Sequence, residues 1–326
     1  MNTSSPATDT TPGGRELKPL DPQIRSIQPA GGVCMRIELA WGHLRRGLLR
    51  VFRRRYLRRM ESTRQGDVNV CPHPVLDPRD IKFHRNLGGY WWKPEDDPFT
   101  RRGQLPFIRA GLAEIVIFTL LFTACGVGLY FLYWPLAIIP ALLELEILWF
   151  FRNPRRSIPQ LPGQVVSPAD GKVDVIEPLD HDPVIDGPAV RISIFLSVFN
   201  VHINRSPVQG IVFAINYRPG KCTSATRPSS AEVNEQLEIQ LEQVDAPHRV
   251  IRLTQITGAI ARRIVCWTRP GDELERGEQY GMIKLGSRTE LVIPREEGLV
   301  LGVKIGDKVR AGASIIASYA DSPPEV

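Results

Sequence analysis

The chain has 326 residues, enough for one large domain or two small ones around a sizeable core. Its hydrophobic fraction of 43% and net charge of +6 are ordinary for a globular protein, so bulk composition alone does not announce a membrane protein. The five cysteines (Cys34, Cys71, Cys125, Cys222, Cys266) are scattered. They offer no metal-ligand spacing and no disulfide framework, which fits a reducing compartment.

Residues 1–32 are rich in Ser, Thr, Pro and Gly and are expected to form a disordered tail, with no removable signal peptide. Residues 33–61 read as a basic amphipathic helix. Leu39, Leu44, Leu48, Leu49, Val51, Phe52, Tyr56 and Leu57 are interleaved there with Arg45, Arg46, Arg50, Arg53, Arg54, Arg55, Arg58 and Arg59. Such a helix suits an anionic lipid surface, against the plainer alternative of a solvated basic face. Nucleic acid is disfavoured, because no aromatic stacking pattern or reading motif accompanies the arginines.

Residues 62–109 form a Pro-rich extension that cannot be a long helix or a central strand. Its Tyr90-Trp91-Trp92 cluster suits a membrane interface and equally suits packing on a soluble domain. Cys71, His73 and His84 are too loosely spaced to predict a metal site.

Residues 110–151 carry the apolar block. Ile115–Trp134 contains no charge and approaches the ~20 residues that cross a bilayer. Pro135 interrupts it, and the shorter second segment carries Glu144 and Glu146, which belong near an interface or against protein. Arginines flank both ends (Arg101, Arg102, Arg109; Arg152, Arg155, Arg156), so both flanks are expected on the cytoplasmic side. That predicts a helical hairpin, spanning or re-entrant, with a buried soluble hairpin as the alternative.

From residue 152 to 326 the texture is mainly β. Strands are expected at Val165–Val166, Val173–Ile176, Val190–Leu196, Ile211–Ile215, Val250–Thr257, Arg262–Trp267, Met282–Leu285 and Glu290–Ile293, and a short helix from Ser229 to about Leu241. The closing Gly306-Asp-Lys-Val turn suggests a biotinyl/lipoyl-like C-terminal hairpin. The fold class is therefore a sandwich- or barrel-like β domain preceded by an α-helical membrane hairpin.

Three segments of the β domain stand out: Ser167-Pro-Ala-Asp170-Gly, Phe199-Asn-Val-His202-Ile-Asn, and Gly286-Ser287-Arg288. Asp, His and Ser are the parts of a nucleophile, base and orienter set, although each segment alone is common. Together with Phe150-Phe-Arg-Asn-Pro-Arg155, Gly220-Lys221 and the run Gly281–Pro294, they resemble the phosphatidylserine decarboxylases of the short prokaryotic type. The resemblance covers the apolar block to the C-terminus; the first hundred residues have no counterpart in it.

The resemblance implies a zymogen that cleaves itself between Gly286 and Ser287, with Ser287 becoming a pyruvoyl cofactor that forms a Schiff base with phosphatidylserine. It implies His202 as general base, Asp170 as its orienter, and Arg288 or Lys221 as candidates for the lipid phosphate. The product would be phosphatidylethanolamine. The implied location is the cell membrane with a cytoplasmic catalytic domain. The two cleaved chains would stay associated, and a homo-oligomer stays open as an arrangement. A role for a second histidine does not transfer, because Phe199 stands where some longer members carry one.

Two rivals are a membrane-anchored adaptor or biotinyl/lipoyl-like carrier, which lacks a lysine at a hairpin tip, and a zinc peptidase, which lacks clustered ligands.

Overall fold

A computed structural model describes residues 10–67, 89–93, 95, 96, 106–221, 223, 233–258, 263–284 and 286–320. Cys71, His73, His84, Cys222 and the expected start of a helix at Ser229 lie outside them.

The basic stretch forms two helices, α1 (Val33–Phe52) and α2 (Arg54–Thr63), broken at Arg53. The apolar block forms the expected hairpin: α3 (Leu112–Leu132), a single 3₁₀ turn at Trp134–Ala137 carrying Pro135, and α4 (Ile138–Phe150). Helix α3 is long and apolar enough to cross a membrane, and most of its side chains face outward. Thr119 of α3 donates to Glu144 of α4, so one of the two acids inside the block is held by its partner helix.

The rest is mainly β, with sixteen strands among the described residues. Two are the short pair β1 (Gln65–Asp67) and β2 (Gly89–Trp91). The main sheet is antiparallel and eight-stranded. Its strands are β4 (Gly171–Asp182), β5 (Gly187–Leu196), β7 (Gly210–Arg218), β8 (Gln236–Gln243), β9 (Val250–Ile256), β11 (Glu273–Leu274), β13 (Ser287–Pro294) and β15 (Lys308–Val309), in the order β11-β7-β8-β9-β13-β5-β4-β15. It curls into a half-barrel. A three-stranded sheet holds β10 (Arg263–Cys266), β12 (Gln279–Lys284) and β6 (Ile203–Arg205). Another holds β14 (Val300–Leu301), β16 (Ile315–Ser318) and β3 (Gln164–Val166).

Alternation sorts the main sheet into two faces. On one, Ile192, Leu291, Leu253, Ile239 and Ile215 lie in register across five strands. These five belong to a core that also takes Val165 and Ile316 from one small sheet and Ile264, Tyr280 and Ile283 from the other. Each such aliphatic side chain contributes about 1.5–3 kcal/mol by leaving water. The opposite face carries charge, with Arg288 on Asp174, and Arg252 on Asp182 and Glu238.

Two expectations are corrected. Residues 236–241, read as the end of a helix, are strand β8, because Leu237, Ile239 and Leu241 alternate into the core. Residues 10–32, read as part of a disordered tail, run across the β domain. Ile24 and Ile27 are buried in it, Lys18 donates its backbone N–H to the Phe213 carbonyl, and Ile27 accepts from the N–H of Cys266. Low apolar content hid this strap, which is also held by Leu17, Leu20 and the Asp21 carboxylate, an acceptor of the Tyr217 N–H.

Candidate active site

His202 closes the loop between β5 and β6. Asn200 shapes that loop by accepting from both the N–H and the hydroxyl of Ser197, at 2.9 and 2.7 Å. The Asn200 carbonyl then accepts from His202 Nδ1 at 2.9 Å, which assigns the proton to Nδ1 and leaves the Nε2 lone pair available. Nε2 accepts the Gly286 N–H at 3.3 Å. The Phe150 ring covers the imidazole with 4.4 Å between centroids. Burial pushes the imidazole pKa down to about 4, against the Asn200 carbonyl, which raises it; the Arg152 charge lowers it further. His202 is thus neutral at pH 7, the state a base requires.

Gly286 and Ser287 sit where the chain passes from one sheet to another. Strand β12 before them pairs with β6 and β10, and β13 after them lies between β5 and β9. The crossing is made with Gly286 at φ +60°, a left-handed conformation that glycine adopts without steric penalty. Ser287 points to the core face and is fully buried, and its Oγ has no hydrogen-bond partner. A buried hydroxyl left without a partner costs about 1–3 kcal/mol, which fits a group kept for chemistry.

One step deeper, the core face turns polar. Asn204 donates to Thr289 Oγ1 at 3.0 Å and accepts from Gln255 Nε2 at 2.9 Å, all three buried. Asn204 lies two residues after His202 and Thr289 two after Ser287, so this network fixes the histidine loop against the serine strand. Residue-by-residue reading missed it, because its parts lie up to 85 positions apart. Glu235, to which the sequence assigns no role, has its carboxyl raised to about 7 by burial despite a hydrogen bond from Tyr217, and its backbone carbonyl accepts the Thr257 N–H.

The other expected residues are placed differently. Asp170 does not reach His202, whose Nδ1 is taken by Asn200. Instead, both its oxygens accept from Arg156 at 2.7 and 3.0 Å, and Oδ1 also accepts the Ala311 N–H at 2.7 Å. Arg288 is not a free phosphate ligand. Strand alternation turns it to the face opposite Ser287, where it is buried on Ser193 at 2.7 Å and Asp174 at 2.6 Å. Lys221 is exposed, and its backbone bridges Asn234. Among the described residues no cluster of His, Cys, Asp or Glu is fit to hold a metal.

The family model for phosphatidylserine decarboxylase matches residues 143–317. A phosphatidylserine decarboxylase proenzyme of Rhodopirellula baltica is 52% identical over 239 residues, which is 73% of this chain and 99% of that one. Proenzymes of the same name from Desulfotalea psychrophila (42% identical; 67% of this chain, 95% of the relative) and Syntrophus aciditrophicus (40%; 68% and 99%) match the same way. With more than half of its length matched by the family model and with relatives covered nearly end to end, this chain belongs to the phosphatidylserine decarboxylase family.

Proposed function

We propose that the protein is a membrane-bound phosphatidylserine decarboxylase made as a proenzyme, which cuts itself between Gly286 and Ser287. The observation that carries this is the buried, unpartnered Ser287 hydroxyl beside a left-handed glycine and a neutral histidine, in a chain of this family. In the cut, His202 Nε2 takes the Ser287 proton while Oγ bonds to the Gly286 carbonyl carbon, and the departing peptide nitrogen takes a proton as amide becomes ester. Loss of the Ser287 α-proton then expels the Gly286 carboxylate, and hydrolysis of the resulting enamine releases ammonia. His202 must first give up the Gly286 N–H for the serine hydroxyl. The residues fit a pyruvoyl group at position 287, because the pocket already shelters a polar atom that no neighbour claims. That group supplies an electrophilic carbonyl that takes the amine of phosphatidylserine and draws electrons from the bond to the departing carboxylate.

Asp170 acts at one remove. Its charge acts on Arg152, whose own charge lowers the His202 pKa, while its oxygens hold Arg156. The two chains stay joined, because β13, β15 and β16 of the small chain pair with β5 and β9, β4 and β3 of the large one. The hairpin α3–α4 anchors the domain to the bilayer with its arginine-flanked ends on the cytoplasmic side, and α1 with α2 rests on anionic headgroups. The C-terminal turn at Gly306-Asp-Lys, with β14 and β16 paired around it, is read as the biotinyl/lipoyl-like portion of the barrel.

Intact-mass measurement of protein extracted from membranes tests the reading. Two chains, residues 1–286 and 287–326, are expected, the second blocked to Edman sequencing. A single uncut chain that still decarboxylates phosphatidylserine overturns it.

A further inference from the structure

The phosphate of the lipid needs a cation near the reacting end, and Arg288 is committed to Asp174 on the opposite face of its strand. Helix α4 ends in the sequence Trp149-Phe150-Phe151-Arg152, and this end meets the histidine loop at several points. Phe150 covers His202. The Trp149 indole N–H and the Arg152 guanidinium both donate to the Phe199 carbonyl at 3.1 Å. Arg152 also donates to the Trp149 carbonyl at 2.6 Å and stacks over the Trp149 ring at 3.9 Å. Trp149 and Phe199 are exposed, continuous with the outward apolar side chains Leu142 and Leu145 of the hairpin.

An exposed apolar rim, a part-exposed guanidinium fixed on it, and the reacting histidine one ring away form a graded path from hydrocarbon to charge. Two neighbouring arginines are committed elsewhere. Arg156 is neutralised by Asp170, and Arg205 is largely buried and donates to the Gly277 carbonyl at 2.8 Å.

We propose that Arg152 binds the phosphodiester of the lipid substrate, with Trp149 and Phe199 seating the glycerol and the first carbons of its chains. This rests on the decarboxylase reading above. The phosphate is assigned rather than the substrate carboxylate, because a cation on the carboxylate would stabilise the charge that the reaction must discharge. A phosphate contact is kept from substrate to product, so it belongs to uniform binding and shows in KM rather than kcat.

The test uses mature full-length protein in detergent and two water-soluble short-chain substrates. One is phosphatidylserine, and the other is its phosphate methyl ester, which is neutral at phosphorus. A lost charged hydrogen bond predicts about a 10–100-fold higher KM for Arg152→Gln on phosphatidylserine, with kcat within about threefold. Arg152→Lys should fall between. On the methyl ester, wild type should show the raised KM, and Arg152→Gln should add little. Equal KM values for the two substrates on wild type would overturn the assignment, with no variant required. So would an equal loss on both substrates in Arg152→Gln. Wild type that decarboxylates neither substrate would instead sink the decarboxylase reading itself.

Discussion

At the scale of single residues, the site depends on one neutral imidazole. The family resemblance singled out His202 as a base and Gly286-Ser287 as a scissile pair, whereas each segment read alone is common. Their partners were not legible. A backbone carbonyl can hold a histidine as well as a carboxylate can, and no sequence pattern says which does. The placement of Asn200 at Nδ1 and of Asp170 on Arg156 leads to a pH prediction. With the imidazole pKa at about 4, the proportion of neutral His202 is constant through the neutral range. A purified slow precursor, Ser287→Thr, should therefore cleave at a rate that is flat from about pH 8 to 6 and falls only toward pH 4, where an ordinary histidine would already fail near 6.5. Densitometry on denaturing gels reads the rate, and a midpoint near 6.5 would contradict the buried, neutral base. The same shift acts on stability. The unfolded histidine gains its proton near 6.5 and the folded one only near 4, so the unfolded state binds more protons between those values and stability falls as pH falls through that window. A shift of this size corresponds to about 3 kcal/mol. His202→Gln should flatten that part of the thermal-midpoint profile.

At the scale of elements, the hairpin and eight of the sixteen strands described were legible, as uninterrupted apolar runs or period-two alternation. The two-residue strands β11, β14 and β15 were not, since a segment of that length is defined by its partner rather than by its own pattern. Nor was the tie between α3 and the segment just before Gly286. Lys284, two residues before Gly286, forms a buried ion pair with Glu114 in the first turn of α3 and also donates to the Ala110 carbonyl at 3.3 Å. The pair joins the start of the hairpin to the last residue of β12. Removing one partner strands a buried charge, at a typical cost of about 3–5 kcal/mol, whereas replacing both by apolar residues is often neutral. Glu114→Leu and Lys284→Met should each lower the thermal midpoint and slow cleavage, and the double variant should recover most of the midpoint. If the double variant is as unstable as the sum of the singles, the two residues do not act as a pair.

At the scale of the whole molecule, the arrangement explains how a soluble-looking β domain works on a lipid. Phe150 touches His202 from the last turn of α4, so the hairpin proposed to anchor the domain also walls the candidate site. The strap of residues 10–32 makes truncation from the N-terminus a different experiment from removal of a tail, because Ile24 and Ile27 leave the two cores with it. Anchoring can be separated from folding by salt. At about 1 M salt the Debye length shrinks to about 3 Å, which screens the arginines of α1 and α2 but leaves apolar burial in place. The full chain should stay in the membrane pellet through high salt and through alkaline carbonate. Reversing charge with Arg50→Glu, Arg54→Glu and Arg58→Glu together should leave that retention unchanged while weakening the contribution of anionic lipid. The second effect is read by flotation of the variant's residues 1–61 fused to a soluble carrier, on vesicles with and without an anionic lipid. The wild-type fusion should float only with the anionic vesicles and come off in salt, and the triple variant should not float on either. Release of the full chain by salt alone would mean that the basic helices, and not α3, hold the protein to the bilayer.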